Sequence, residues 1–164
     1  MAIRTAILTI SDMCSQGKRE DKSGQTIEEM LPEDTYEVFQ KTIIPDDYGT
    51  ITRTLRQFSD VLKAQVVLTT GGTGLGPRDV TPEATIAVCD RRVPGIGEIL
   101  RCESYKKTSN ALLSRGVSVM RDNTLIINLP GSPKAVRECM EIILQVLPHA
   151  VDMIGGGGHQ TKGL

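Results

Sequence analysis

Apolar residues along this chain follow two alternating periods. Runs of strand length lie at 5–10 (Thr-Ala-Ile-Leu-Thr-Ile), 36–44, 65–70 (Gln-Val-Val-Leu-Thr-Thr), 117–120 and 124–128 (Thr-Leu-Ile-Ile-Asn). The first, third and last show little apolar–polar alternation, the pattern of strands buried on both faces. Stripes of helical period lie between them. Ile27, Met30 and Leu31 mark a helix over about 23–31, and Ile51, Leu55, Phe58 and Leu62 mark a second. A third is expected from about 82 to 92, with Arg91 and Arg92 in its last turn, where cations suit the helix dipole. Pro94-Gly95 breaks the chain, Ile96, Ile99 and Leu100 share a face of the next helix, and 110–115 reads as a short helical piece. Val136, Met140, Ile143 and Leu147 form a final stripe.

The start signals are chemical. Ser23, Asp47, Thr81 and Ser132 are placed to cap helices, with Pro82 and Pro133 at the first helical position and Glu83 in the first turn. The segment 14–22 reads as a polar loop. Arg121-Asp122-Asn123 is a turn, so an antiparallel element is expected at one edge of the sheet. Strands alternating with helices predict an α/β fold with a mostly parallel sheet and right-handed crossovers.

Composition narrows the function. A chain of 164 residues fits one domain, drawn here as 1–154 followed by a flexible glycine-rich tail, 155–164, that contains His159. Aromatics are 3% and Trp is absent, so the core is aliphatic and no base-stacking platform is expected. Nineteen basic and twenty acidic residues give a net charge of −1, which implies no general attraction to nucleic acid or to an anionic membrane. Cys14, Cys89, Cys102 and Cys139 form no C-x-x-C pair, so a structural zinc site and a disulfide framework are not expected. Cys89 and Cys139 fall on expected helices and read as small core residues. The first ten residues read as a strand rather than a leader or span, with a reducing cytoplasm as the default location.

Candidate chemistry gathers where strands end. In an open parallel sheet, ligands bind outside the carboxyl ends of the strands. Those ends are Ser11-Asp12, Pro45-Asp46-Asp47, the loop Gly71-Gly72-Thr73-Gly74-Leu75-Gly76-Pro77-Arg78-Asp79, and Pro130-Gly131-Ser132. Glycines that bare backbone N–H groups before a helix start are suited to phosphate. Asp12, Asp46 and Asp79 beside them suit a polyphosphate with Mg2+, which is often held by one or two carboxylates plus substrate phosphates. Asp12 serves equally as a turn cap, Asp47 reads as a helix cap that leaves Asp46 for chemistry, and Ser132 is usable both as a cap and as a ligand. Neither G-x-x-x-x-G-K-[ST] nor G-x-G-x-x-G occurs, so Walker and Rossmann sites are not indicated.

The string from Thr69 to Gly74 (Thr-Thr-Gly-Gly-Thr-Gly), followed by Pro77-Arg-Asp-Val-Thr-Pro-Glu-Ala-Thr85, resembles the signature of the MogA/MoaB family of molybdenum cofactor biosynthesis proteins, which includes the gephyrin G domain. Ile7 to Asp12, Asp21-Lys-Ser-Gly24, Ile44-Pro-Asp46, Leu113-Ser-Arg115 and Leu125 to Ser132 resemble further family segments in the family's order, so the likeness spans about 5–153. The resemblance implies a three-layer α/β/α domain, a homotrimer, and Mg2+-dependent transfer of AMP from ATP to molybdopterin. It implies Asp46 and Asp79 as catalytic residues and Mg2+ ligands. The substrate pocket it implies comprises Ser11, Asp12, Gly71, Gly72, Thr73, Gly74, Ser114, Pro130, Gly131 and Ser132. It further implies a downstream molybdenum insertion protein as partner. Rival expectations are a pterin carrier or scaffold without efficient transfer, and a nucleotide pyrophosphatase of the kind suggested by CinA-related domains.

Overall fold

The computed structural model describes residues 1–157. His159 and the rest of the expected tail from 158 onward lie outside the described residues. Six strands form one mixed sheet in the order β2-β1-β3-β6-β5-β4. They are β1 Ile3–Ile10, β2 Tyr36–Ile44, β3 Val66–Thr70, β4 Arg91–Arg92, β5 Ser118–Arg121 and β6 Thr124–Leu129. β2, β1, β3 and β6 run parallel, whereas β5 is antiparallel to both β6 and β4. The antiparallel element expected from the Arg121–Asn123 turn is therefore present.

Strand alternation sorts side chains onto two buried faces. Ile3, Ile7, Val66, Leu68, Leu125, Ile127 and Leu129 point into one core, while Ala6, Leu8, Ile10, Val67 and Ile126 point into the other. The first core is covered by Ile27 of α2 (Lys22–Met30), Leu100 of α5 (Pro94–Tyr105), Val136 and Met140 of α6 (Pro133–Ile143), and Leu147 of α7 (Leu147–Ile154). The second is covered by Ile51 and Leu55 of α3 (Tyr48–Arg56), by Phe58, and by Ala84 of α4 (Thr81–Ala87). The result is the expected α/β/α sandwich, and its two covered faces explain the near-continuous apolar strands.

Several local expectations are corrected. The 14–22 loop opens with a short helix, α1 (Asp12–Ser15), capped by Ser11. Ser23 does not cap α2; Asp21 does, its carboxylate accepting the Gly24 N–H at 2.8 Å. Thr81 is the first residue of α4 rather than its cap, and its hydroxyl instead donates to the Gly71 carbonyl at 3.0 Å. α4 ends at Ala87, so Arg91 and Arg92 are not in its last turn: they form β4, where pairing with Val119 and Met120 wins over helix continuation. Cys89 lies beyond α4, partly buried, while Cys139 is buried on α6 as expected. Pro94 opens α5 rather than breaking the chain, since proline's fixed φ suits a first helical turn. Ile99 is exposed on that helix. The last stripe is two helices, because Pro148 lies in the first turn of α7, where a continuous helix would lack its N–H.

Candidate active site

The parallel strands place the expected loops along one edge. Asp12 and Asp46 clasp each other there: the Asp12 N–H donates to Asp46 Oδ2 at 2.8 Å, and the Asp46 N–H donates to Asp12 Oδ1 at 3.0 Å. This pins the end of β1 to the end of β2. The Arg78 guanidinium forks onto the same Asp12 carboxylate, with Nε at 3.1 Å and Nη2 at 3.0 Å. That fork holds the Asp12 carboxyl below its ordinary value. Asp12 is thus engaged as a strut between three strand-end loops.

Asp46 carries the opposite perturbation. Burial pushes its carboxyl up, with the charges of Asp12 and Asp79 adding to the effect and the Asp12 N–H opposing it. Asp79 accepts the Gly76 N–H at 2.9 Å through Oδ2, folding the far end of the glycine loop onto its own side chain. Asp47 caps α3 through Thr50, as expected, which leaves Asp46, clasped only by the Asp12 N–H, as the carboxylate of that loop on the cavity.

The glycine loop is shaped by close approaches. Gly71 has φ +96°, and a Cβ there would stand 2.2 Å from the Ile10 carbonyl oxygen. Gly72 has φ +67°, and its Cβ would meet the Thr81 hydroxyl at 2.2 Å and Asp46 Oδ1 at 3.1 Å. Only glycine lets this turn pass between β1 and α4. On the other flank, Thr70 donates to the Pro130 carbonyl at 2.7 Å and Ser23 to the Gly131 carbonyl at 2.6 Å.

Two cavities result, one on each side of the loop. The larger, of about 780 Å3, is lined by Ser11, Asp46, Gly71, Gly72, Asp79, Gly131 and Ser132 among others. The smaller, of about 300 Å3, takes Thr73, Gly74, Ser114 and Pro130, with mainly apolar walls from α5 and α6. All but one of the expected site residues thus fall into two groups. Asp12 lines neither cavity and buttresses the edge from outside. Ser11 and Ser132 double as caps, accepting from the Cys14 N–H and the Ala135 N–H, both at 3.2 Å.

Some residues of the site were not singled out by sequence reasoning. Arg19 and Lys22 line the larger cavity, and neither is ion-paired among the described residues. Their signal is a pair of cations on either side of Asp21, one of them inside the Asp21-Lys-Ser-Gly24 segment. Asn128 is buried and donates to Thr69 and Thr85, each at 3.0 Å, locking β6 to β3 and α4 beneath the loop. A polar residue ending an otherwise apolar strand was the available clue.

The donor set decides what cation would fit. Among the described residues no group of three or more His, Cys, Asp or Glu side chains could cage a metal. Asp46 and Asp79, two of the four carboxylates on the larger cavity, with Asp46 burdened by like charge, fit a hard dication completed by substrate phosphate oxygens.

Comparison with known proteins follows this geometry. Residues 6–149 match the family described as "Probable molybdopterin binding domain". The chain is 42% identical over 162 residues to the molybdopterin adenylyltransferase of Helicobacter pylori, covering 98% of this chain and 92% of that protein. It is 43% identical over 141 residues to the Escherichia coli protein of the same name, covering 85% and 72%. The crystal structure of the molybdopterin biosynthesis enzyme MoaB of Thermus thermophilus superposes with a TM-score of 0.89 at 46% identity, covering 94% of this chain and 97% of that one.

Proposed function

The chain belongs to the family of molybdopterin-binding domains, and on that premise we propose that it is a molybdopterin adenylyltransferase of molybdenum cofactor biosynthesis. A terminal phosphate oxygen of molybdopterin attacks the α-phosphorus of ATP. The bond from that phosphorus to the oxygen bridging to the β-phosphate breaks, and adenylyl-molybdopterin and pyrophosphate leave. One observation carries the reading: Gly71 and Gly72 of the glycine loop, both candidate carboxylates, and Arg19 and Lys22, unpaired among the described residues, converge on one cavity at the carboxyl edge of a parallel sheet.

The attacking phosphate is already a nucleophile, so the protein's part is orientation and charge compensation. Arg19 and Lys22 offset charge on the nucleotide phosphates, and the glycine loop supplies N–H donors. Asp46 and Asp79 would hold Mg2+, which when bound would supply charge neutralisation at the transferring phosphoryl group. Ser11, Gly131 and Ser132 bound the same substrate space, and Thr73, Gly74, Ser114 and Pro130 bound the apolar side cavity. Asp12 keeps the carboxylate loop in register. The same reading includes a homotrimer, a cytoplasmic location, a downstream molybdenum insertion protein as recipient, and a catalytic unit over 1–154. No described helix is long and apolar enough to cross a membrane.

The test is incubation with ATP, Mg2+ and molybdopterin, followed by mass analysis. An adenylylated pterin with stoichiometric pyrophosphate is expected. Tight pterin binding with no adenylylated product would replace this reading with a carrier. In Asp79→Asn the amide oxygen can still accept the Gly76 N–H, so the fold should persist. Turnover should fall by about 100-fold or more, the scale of losing one electrostatic group in such sites. Normal pyrophosphate release by a folded Asp79→Asn protein would remove Asp79 from catalysis.

A further inference from the structure

We propose that Arg115 is a positioning residue for the transfer: it grips the glycine loop from behind, turns two successive N–H groups outward as phosphate donors, and fixes their spacing to Asp79. The proposal rests on the adenylyl-transfer reading. Arg115 precedes β5 and lines neither cavity. Its backbone N–H donates to the Thr73 carbonyl at 2.9 Å. Its Nε donates to the Gly74 carbonyl at 2.8 Å and its Nη2 to the Asp79 carbonyl at 2.7 Å. Its Nη1 pairs with Glu83 in the first turn of α4.

Little else among the described residues holds residues 73–79. The hydrogen bonds leaving this segment are those three to Arg115 and the fork from Arg78 to Asp12. The Gly76–Asp79 bonds close within the segment itself. Remove the guanidinium and the loop keeps its flanks at Gly72 and Thr81, the backbone bond from residue 115 to Thr73 and the Arg78 fork, but loses the hold on the Gly74 and Asp79 carbonyls.

The grip also sets direction. No described peptide is cis, and in a trans peptide the C=O and N–H point opposite ways. With the Thr73 and Gly74 carbonyls aimed at Arg115, the N–H groups of Gly74 and Leu75 face away from it. Neither donates to a protein acceptor among the described residues. Gly74 lines the smaller cavity and Leu75 is exposed, which leaves both N–H groups open to a phosphoryl oxygen. Asp79 lies against the same loop, since a Cβ on Gly74 would stand 2.9 Å from Asp79 Oδ2. Because Arg115 holds both the Gly74 and Asp79 carbonyls, it sets the distance between the donor pair and that carboxylate.

A planar fork is needed for this. Lysine offers one point of charge and cannot reach three acceptors in fixed directions. Arg115→Lys should therefore lower kcat by about 100-fold, the effect of losing a preorganised donor, with KM for ATP changed by less than about fivefold. Amide exchange should rise across 73–80 while β3 and β6 stay protected. Arg115→Ala should behave alike and regain about tenfold of its activity on addition of guanidinium, a rescue expected of a positioning role. Glu83→Gln, which spares the backbone grip, should stay within about threefold of the parent. A kcat for Arg115→Lys within threefold of the parent, exchange rising equally in β3 and β6, no rescue of a folded Arg115→Ala, or an equal loss in Glu83→Gln would each overturn the proposal. If Arg115→Ala does not fold, Arg115→Lys decides through turnover and exchange. If the unmutated protein makes no adenylylated pterin, the functional reading fails, while the exchange comparison still tests the grip.

Discussion

Gly71→Ala isolates the tightest contact at the carboxyl edge of the sheet. Gly71 has φ +96°, and an added Cβ would stand 2.2 Å from the carbonyl oxygen of Ile10, the last residue of β1. Two costs follow. Holding an L-residue in this half of the map costs roughly 1–2 kcal/mol. Relieving the overlap means shifting backbone, and overpacking of this kind costs roughly 1–3 kcal/mol. Ile10 cannot easily retreat, because β1 is paired on both sides, to β2 and β3. The sum, roughly 2–5 kcal/mol, is a large share of the 5–15 kcal/mol typical of a folded domain. At about 2–4 °C per kcal/mol for a chain of this size, the melting temperature should fall by roughly 4–20 °C. Gly17→Ala supplies the control: φ there is +71°, but nothing lies within 4 Å of an added Cβ. It should show the conformational cost alone, about 1–2 kcal/mol. Denaturant unfolding of both variants, with the slope checked for constancy, measures the difference directly. Equal destabilisation of the two, or Gly71→Ala within about 1 kcal/mol of the parent, would refute the close-approach argument.

Two further outcomes follow from a half-buried and a buried polar group. Asp46→Asn should raise the melting temperature at pH 7 while abolishing turnover, because the amide can still accept the Asp12 N–H without the half-buried charge. The folded-state carboxyl is raised above its ordinary value, so its ionised form costs stability above that raised value. The gain over the parent should therefore shrink as pH falls through the raised value into the ordinary carboxylate range; a gain independent of pH, read by circular dichroism melts from pH 7 downward, would refute the assignment. Asn128→Asp should cost about 2–4 kcal/mol in denaturant unfolding. The Thr85 hydroxyl already donates to the Thr81 carbonyl, so it can only accept from residue 128, and an aspartate there has no proton to give. Unfolding at the parent's midpoint would show that the knot can rearrange.

The fold class and the strand-end loops of the candidate site were legible because their signals are local. Both-face burial writes itself as unbroken apolar runs, as in Val66–Leu68 and Leu125–Ile127, and the loop that must pass close to a neighbouring carbonyl writes itself as glycine. Asp47 and Ser132 capped the helices expected of them, since a cap needs only residues within one turn. The misplaced caps at Ser23 and Thr81 have the same origin seen from the other side. Sequence marks a residue able to cap, whereas tertiary contacts choose: Thr81 spends its hydroxyl on Gly71, and Asp21 is the residue held in place by Thr9. Arg91 and Arg92 were drawn into a helix by a local dipole argument, and a distant strand claimed them instead.

What the sequence determined by itself is therefore the inventory: an aliphatic parallel sheet, glycine at the turn, and carboxylates at the strand ends. Only the tertiary structure decided how that inventory is divided. It put Asp46 and Asp79 on one cavity, moved Thr73, Gly74, Ser114 and Pro130 to another, turned Asp12 into a strut for Arg78, and set Arg115 behind the loop. Hydrophobic period and backbone conformation depend on neighbours a few residues away, so the chain records them in order. The direction of a charged side chain depends on groups 30 to 70 positions distant, such as Arg78 on Asp12 or Arg115 on Glu83 and Gly74, and is fixed only when the sheet brings them together.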